Sequence, residues 1–252
     1  MLLMLLPVAG NTRINRRVSP TYDERSSSQF YHSAKNMGRD LLFSHKTPTF
    51  VVMEKIKNVV FDLGGVVFAR DPRKFEPEFI KFFSYILLPQ MPKFWEEYDR
   101  GMVSYDEVVR SLAEYNSCDV ELAEKNLRRS ILTQEAIPYT EALIAALKDA
   151  QYELYVLSNM SLEFIEFLRK QPVYKYFDGE VVSCEEHVVK PDAEIYHRLV
   201  TRYALDPTQT LFIDDRKSNV EAAINEGWQG FYFDAHNPKD SCERLHKMLL
   251  GE

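Results

Sequence analysis

The chain has 252 residues and a formal net charge of −7, with 45% hydrophobic and 13% aromatic residues. That much apolar material supplies a large core and excludes a wholly disordered chain. An acidic balance argues against non-specific nucleic-acid binding, which needs cations to neutralise phosphates; no stretch reaches the ~20 apolar residues of a membrane helix, so neither partner is expected.

The first ten residues, Met1 to Gly10, are apolar, but no Lys or Arg precedes them and the run is short for an export signal. Residues 11–52 are polar and follow neither the helix nor the strand period. We expect residues 1–52 to form a disordered extension, with a weak export or anchoring signal as the alternative, and a compact domain from Met53. Cys118, Cys184 and Cys242 are odd in number and lack metal-site spacing, as for free thiols in a reducing compartment; the expected location is cytoplasmic.

Asn58-Val59-Val60-Phe61 reads as a buried strand that stops at Asp62, followed by Leu63-Gly64-Gly65. The next stretch is helical. Phe79-Ile80, Phe82-Phe83 and Ile86-Leu87 recur at helical spacing before Pro89 and Pro92. Ser104 to Glu107 has capping-box spacing, and Asp119 is placed to cap a further helix. With no good strand between them, residues 71–135 read as a small helical bundle inserted into a core made of 53–70 and 136–252.

From Pro138 onward, helix and strand alternate. Helices are predicted over 140–150, after Ser161 as cap, through Ile195 and Leu199, through Val220 to Ile224 with Gly227 as terminator, and near 242–250. Strands are predicted at 153–157, 180–183, 210–213 and 230–233. Such alternation implies an α/β fold with a mostly parallel sheet covered on both faces.

Ligands in open α/β sheets bind beyond the carboxyl ends of the strands. Asp62, Ser158-Asn159 and Asp214-Asp215 stand at three such ends, and Lys190-Pro191 adds a cation before the helix that begins near Asp192. One strand-end Asp is commonly a turn residue; four such stops in one sheet are hard to assign to structure alone.

This combination resembles the haloacid dehalogenase-like (HAD) hydrolase superfamily, with motifs at Asp62-Leu63-Gly64-Gly65-Val66, Ser158-Asn159, Lys190-Pro191, and Asp214-Asp215 with Asn219. The resemblance implies a Rossmann-like core and an inserted α-helical cap of the C1 class. The Asp-Leu-Gly opening is similar to a branch that includes an α-D-glucose-1-phosphate phosphatase. It implies a Mg²⁺-dependent hydrolase of phosphoric monoesters acting on a small phosphorylated metabolite, a sugar phosphate among the options. Asp62 would attack phosphorus and form an aspartyl-phosphate. Asp62, the Gly64 carbonyl and Asp215 would offer oxygens to Mg²⁺, with Asp214 and Asn219 supporting them. Leu63 and Gly64 amides, Ser158, Asn159 and Lys190 would hold the phosphoryl oxygens.

The sequence departs from the usual pattern at Gly64, where most phosphatases of this family carry an acid that protonates the leaving oxygen and then activates water. Three readings remain open: a phosphatase using good leaving groups or another acid, a phosphate- or partner-binding protein without catalysis, and a haloacid dehalogenase. Asp71, Glu185 and Glu186 are replacement acids by residue type, though turn and surface roles suit them better. Arg70, Arg73 and Lys74 could meet a second anionic group, though a solvated surface role suits them better, and Phe94, Trp95 and Tyr98 are expected in the core rather than in a sugar pocket.

Overall fold

The computed structural model describes residues 55–88 and 90–251, so the expected N-terminal extension and Pro89 lie outside the described residues. The first strand, β1 (Asn58–Phe61), leads into the two-residue β2 (Phe68–Ala69). A helical segment follows: α1 (Pro77–Phe82), α2 (Lys93–Asp99), α3 (Tyr105–Asn116) and α4 (Val120–Leu132). The chain returns through β3 (Glu135–Ala136), which pairs antiparallel with β2. Two residues carry no period, so this pairing is not legible in the sequence.

Helix and strand then alternate: α5 (Pro138–Asp149), β4 (Glu153–Ser158), α6 (Leu162–Leu168), β5 (Gly179–Val182), α7 (Ser183–Glu186) and α8 (Ala193–Tyr203). The last elements are β6 (Thr210–Asp214), α9 (Lys217–Asn225), β7 (Gln229–Tyr232) and α10 (Pro238–Leu250). The main sheet has the order β5-β4-β1-β6-β7, every pair parallel.

Alternate residues of the strands enter different cores, as a period of two requires. Val59, Phe61, Val156 and Ile213 join the larger cluster, while Val60, Tyr155, Leu157 and Phe212 join the smaller one against α8. The larger cluster continues without a break into Phe79, Phe83, Trp95, Tyr98 and Leu112 of the helical segment. Arg70 differs from the expected surface residue. It is buried, donates to the Ser130 carbonyl at 3.0 Å and lies 5.4 Å from the Phe83 ring centre. Its side chain therefore anchors the segment on its aromatic core.

Local signals explain several boundaries. The Ser104–Glu107 capping box forms, and Asp119 accepts the Leu122 N–H at 2.7 Å. Ser161 occupies the first-cap position of α6 but makes no side-chain cap bond, so the expected side-chain cap is absent. Ser183, expected at the end of β5, instead opens α7, where its hydroxyl accepts the Met160 N–H at 2.9 Å. The last helix begins at Pro238 rather than near Cys242, with Asn237 capping it. Among the described residues, no helix is long and apolar enough to cross a membrane.

The turn after α2 is set against α7 at backbone range. Gly101 has φ +72°, and a Cβ there would lie 2.4 Å from the Cys184 carbonyl oxygen. A left-handed conformation costs a non-glycine residue roughly 1–2 kcal/mol, before that collision is counted. Gly101→Ala is therefore expected to destabilise the protein by at least about 2 kcal/mol, measured as a lower urea midpoint at unchanged slope.

Candidate active site

The sheet order reverses at β1, whose neighbours β4 and β6 leave from opposite sides, and the carboxyl ends of these three strands share one edge. Register then decides which side chains meet. Phe61 pairs with both Val156 and Ile213, and the Asp62 N–H donates to the Ile213 carbonyl at 2.9 Å. Asp62 thus emerges level with Asp214 and one residue short of Ser158.

Lys190 fills the space between them. Its buried ammonium donates to Asp62 Oδ1 at 2.9 Å, Asp214 Oδ2 at 2.6 Å and the Leu157 carbonyl at 2.8 Å. All three of its protons are placed. Burial disfavours the ammonium, but Asp214 and Asp62 outweigh that effect and hold the Lys190 pKa above its ordinary value. Asn159 clamps the lysine backbone from both sides: its Nδ2 donates to the Lys190 carbonyl at 2.9 Å, and its Oδ1 accepts the Lys190 N–H at 2.8 Å.

The three carboxylates divide their hydrogen bonds unequally. Asp62 Oδ1 also accepts the Ser158 hydroxyl at 2.8 Å, while Oδ2 accepts from no described residue. Asp214 is saturated. Its Oδ1 accepts the Arg216 N–H at 2.7 Å and Asn219 Nδ2 at 3.1 Å, and its Oδ2 takes Asn219 at 3.0 Å besides Lys190. Asp215 is the opposite case, with a buried Oδ2 that has no hydrogen-bond partner.

Asp62, Asp214 and Asp215 each bring an oxygen within 4.8 Å of the others. Three carboxylates against one ammonium leave an excess of negative charge, and Asp215 has an oxygen that no described residue satisfies. That donor set fits a hard divalent cation, which takes carboxylate and carbonyl oxygens. The saturated Asp214 is better suited to holding Lys190 than to binding an ion directly.

The glycine-bearing turn after Asp62 is tight. Gly65 has φ +80°, and its N–H donates to the Phe68 carbonyl at 2.8 Å. The Leu63 and Gly64 amides make no hydrogen bond to a described residue, so of the expected group of donors these two remain available. The pocket above these residues has a volume of about 300 Å³ and is lined by Asp62, Gly64, Asn159, Lys190, Asp215 and Asn219.

Its outer wall contains residues that sequence reasoning missed: Gln90, Met91, Glu96, Asp99, Arg100, Asp192 and Arg216. Arg216 directly follows Asp215, a position that invites inspection. The others come from α2, its flanks and the turn before α8, and no local pattern distinguishes them from ordinary surface charges. The residue types first weighed as replacement acids lie elsewhere. Asp71 pairs with Arg73, Glu185 with Arg169, and Glu186 with Arg198 and Arg202. Lys74 pairs with Glu135, and Trp95 and Tyr98 are buried in the core.

A family model of haloacid dehalogenase-like hydrolases matches residues 56–227. The chain belongs to this family of hydrolases. It is 25% identical over 177 residues to a sesquiterpene phosphatase of Aspergillus oryzae, covering 70% of this chain and 89% of that one. It is 27% identical over 192 residues to a D-ribitol-5-phosphate phosphatase of Bacteroides thetaiotaomicron, covering 70% and 91%. In fold it resembles a HAD family enzyme of the latter organism, solved as an aspartate-to-alanine variant with magnesium and inorganic phosphate. That match has a TM-score of 0.59 at 22% identity, over 71% of this chain and 95% of that chain.

Burial, with Asp214 alongside, pushes the Asp215 carboxyl up to about 7. An unfolded Asp titrates near ~3.9, so between those values the folded state holds more protons and stability falls as pH rises. In metal-free protein, Asp215→Asn is expected to raise the melting temperature at pH 8 by about 2–4 °C, equivalent to about 1 kcal/mol. The gain should shrink to a small remainder near pH 4, where the folded carboxyl is protonated and the unfolded one about half so; thermal melts in EDTA at the two pH values measure it.

Proposed function

We propose that the chain is a Mg²⁺-dependent phosphatase that hydrolyses a small phosphomonoester through a phosphorylated Asp62. The observation that carries this reading is the buried Lys190 ammonium bonded to Asp62 and Asp214, beside the unpartnered Asp215 oxygen. The two phosphatase relatives support the same class of reaction.

Ser158 and Lys190 fix Asp62 through Oδ1, which leaves Oδ2 as the attacking oxygen. Attack on phosphorus expels the alcohol, and water then cleaves the acyl phosphate, dividing one difficult step into two easier ones. The backbone amides of Leu63, Gly64 and Asn159 would donate to the phosphoryl oxygens, and Lys190 would supply fixed positive charge. Asp214, held by Asn219 and the Arg216 amide, orients that lysine. Asp62, Asp215 and the Gly64 carbonyl would hold Mg²⁺. When bound, the ion supplies the charge that lets an anionic phosphate meet a carboxylate.

Residues 71–135 act as a cap that sets substrate choice. The outer wall is charged and polar, with Arg100 bonded to Glu96 at 2.9 Å and lying 3.6 Å from Asp192. Met91, Val189 and Pro191 are the apolar exceptions. Such a wall suits a hydroxylated leaving group, a sugar or polyol phosphate, because polar wall groups facing a hydrocarbon tail would lose water without replacement.

Phosphate release from a panel of sugar phosphates, polyol phosphates and p-nitrophenyl phosphate, with Mg²⁺ and then EDTA, tests this reading. Asp62→Asn is expected to lower kcat by at least about 10³-fold while the melting temperature holds. Independently of turnover, saturating Mg²⁺ should raise the wild-type melting temperature and leave that of Asp215→Asn unmoved. Release of halide from haloacids without metal, in place of phosphate, would sink the proposal.

A further inference from the structure

Gly64 leaves the site without a proton carrier beside the nucleophile, and the structure offers another carboxyl from a distant part of the chain. Besides the carboxylates at the strand ends, three acids line the pocket: Glu96, Asp99 and Asp192. The side chains of Glu96 and Asp192 are 47% and 56% exposed, and both are paired with Arg100. Asp99 is buried and forms no ion pair with another described residue.

The placement of Asp99 is enforced by backbone. It is the last residue of α2, and its carbonyl accepts the Ser183 hydroxyl from the start of α7. The Arg100 carbonyl meets His187 Nδ1 at 3.1 Å, and Gly101 packs directly on the Cys184 backbone. Three consecutive residues are thus tied to the segment that follows β5. This holds Asp99 at the wall of the cavity that also exposes Asp62, Gly64 and Lys190. Arg216 and Asp62 line the same cavity.

We infer that Asp99 is the proton carrier of this site, the carboxyl that serves in place of the acid missing at Gly64. The inference rests on the phosphatase reading above. In the first half-reaction, Asp62 Oδ2 forms a bond to phosphorus as the ester P–O bond breaks. The departing oxygen takes the Asp99 proton and leaves as an alcohol. In the second, water attacks the phosphorus of the acyl phosphate and the bond to Asp62 breaks. The water proton passes to the Asp99 carboxylate, which restores the Asp99 acid and the Asp62 carboxylate and releases inorganic phosphate. Burial pushes the Asp99 carboxyl up to about 7, so both protonation states are accessible near neutrality.

The test compares esters whose leaving groups differ in their need for a proton. With full-length protein and Mg²⁺, kcat/KM is measured for D-ribitol 5-phosphate and for p-nitrophenyl phosphate, whose nitrophenolate departs unprotonated. Asp99→Asn is expected to lower kcat/KM for the alkyl ester by about 10²–10³-fold and for the aryl ester by less than about 10-fold. Rapid mixing of the variant with the aryl ester should show a nitrophenolate burst, because the second half-reaction loses its base. Asn resembles the neutral acid that burial favours, so the melting temperature should hold; Asp99→Ala provides a second variant with the same expected split. Equal losses on the two esters, or none, in folded variants of an active wild type would overturn the assignment of Asp99 alone. A wild type inert on both esters would overturn the phosphatase reading, and this inference with it.

Discussion

The buried ammonium of Lys190 is the constraint on which the site depends. Two carboxylates held near each other at the end of a parallel sheet repel, and burial removes the water that would screen them. One lysine with a bond to each, and a third to the Leu157 carbonyl, turns that repulsion into a fixed geometry. Losing one partner of a buried pair commonly costs about 3–5 kcal/mol, because the remaining charge stays desolvated. The Asn159 clamp on the lysine backbone and the Asn219 bonds to Asp214 therefore belong to the same arrangement, although neither residue bears the ionic contact itself.

Division of labour among the strand-end acids follows from hydrogen-bond capacity. Asp214 accepts from Lys190, Asn219 and the Arg216 amide, and has little left to offer a ligand. Asp215, its neighbour, keeps an unmatched buried oxygen. Such an oxygen raises the energy of the protein alone and lowers it when a cation arrives, so the stability lost at this position is recoverable as binding affinity. The outer wall has a comparable balance: Arg100 stands between Glu96 on its own helix and Asp192 before α8, so charge from the helical segment and from the core meets across the pocket mouth.

Much of this was legible in the amino-acid sequence, for a physical reason. Parallel strands buried on both faces are mostly apolar, so the polar residues at their carboxyl ends, Asp62, Ser158 and Asp214, mark one edge of the sheet in the sequence itself. The alternating helices and the caps at Ser104 and Asp119 were equally local signals. What was not legible depended on side-chain direction and on contacts between remote segments. The difference between Asp214 and Asp215 lies in the hydrogen bonds each one receives. Arg70 reads as a surface cation, yet it lies beneath aromatic rings supplied by α1 and the turn after it. Asp99 is one acid among 38 acidic residues, and its position in the pocket wall follows from α2 meeting α7, elements far apart in sequence.

The contact of Gly101 with the Cys184 backbone also bears on motion. A carbonyl that would stand 2.4 Å from a Cβ leaves no room for α2 to slide along α7, while the aromatic core runs on from the sheet into the helical segment. Amide protons of α2 and of the central strands should then become exchangeable in one concerted opening rather than in separate local events.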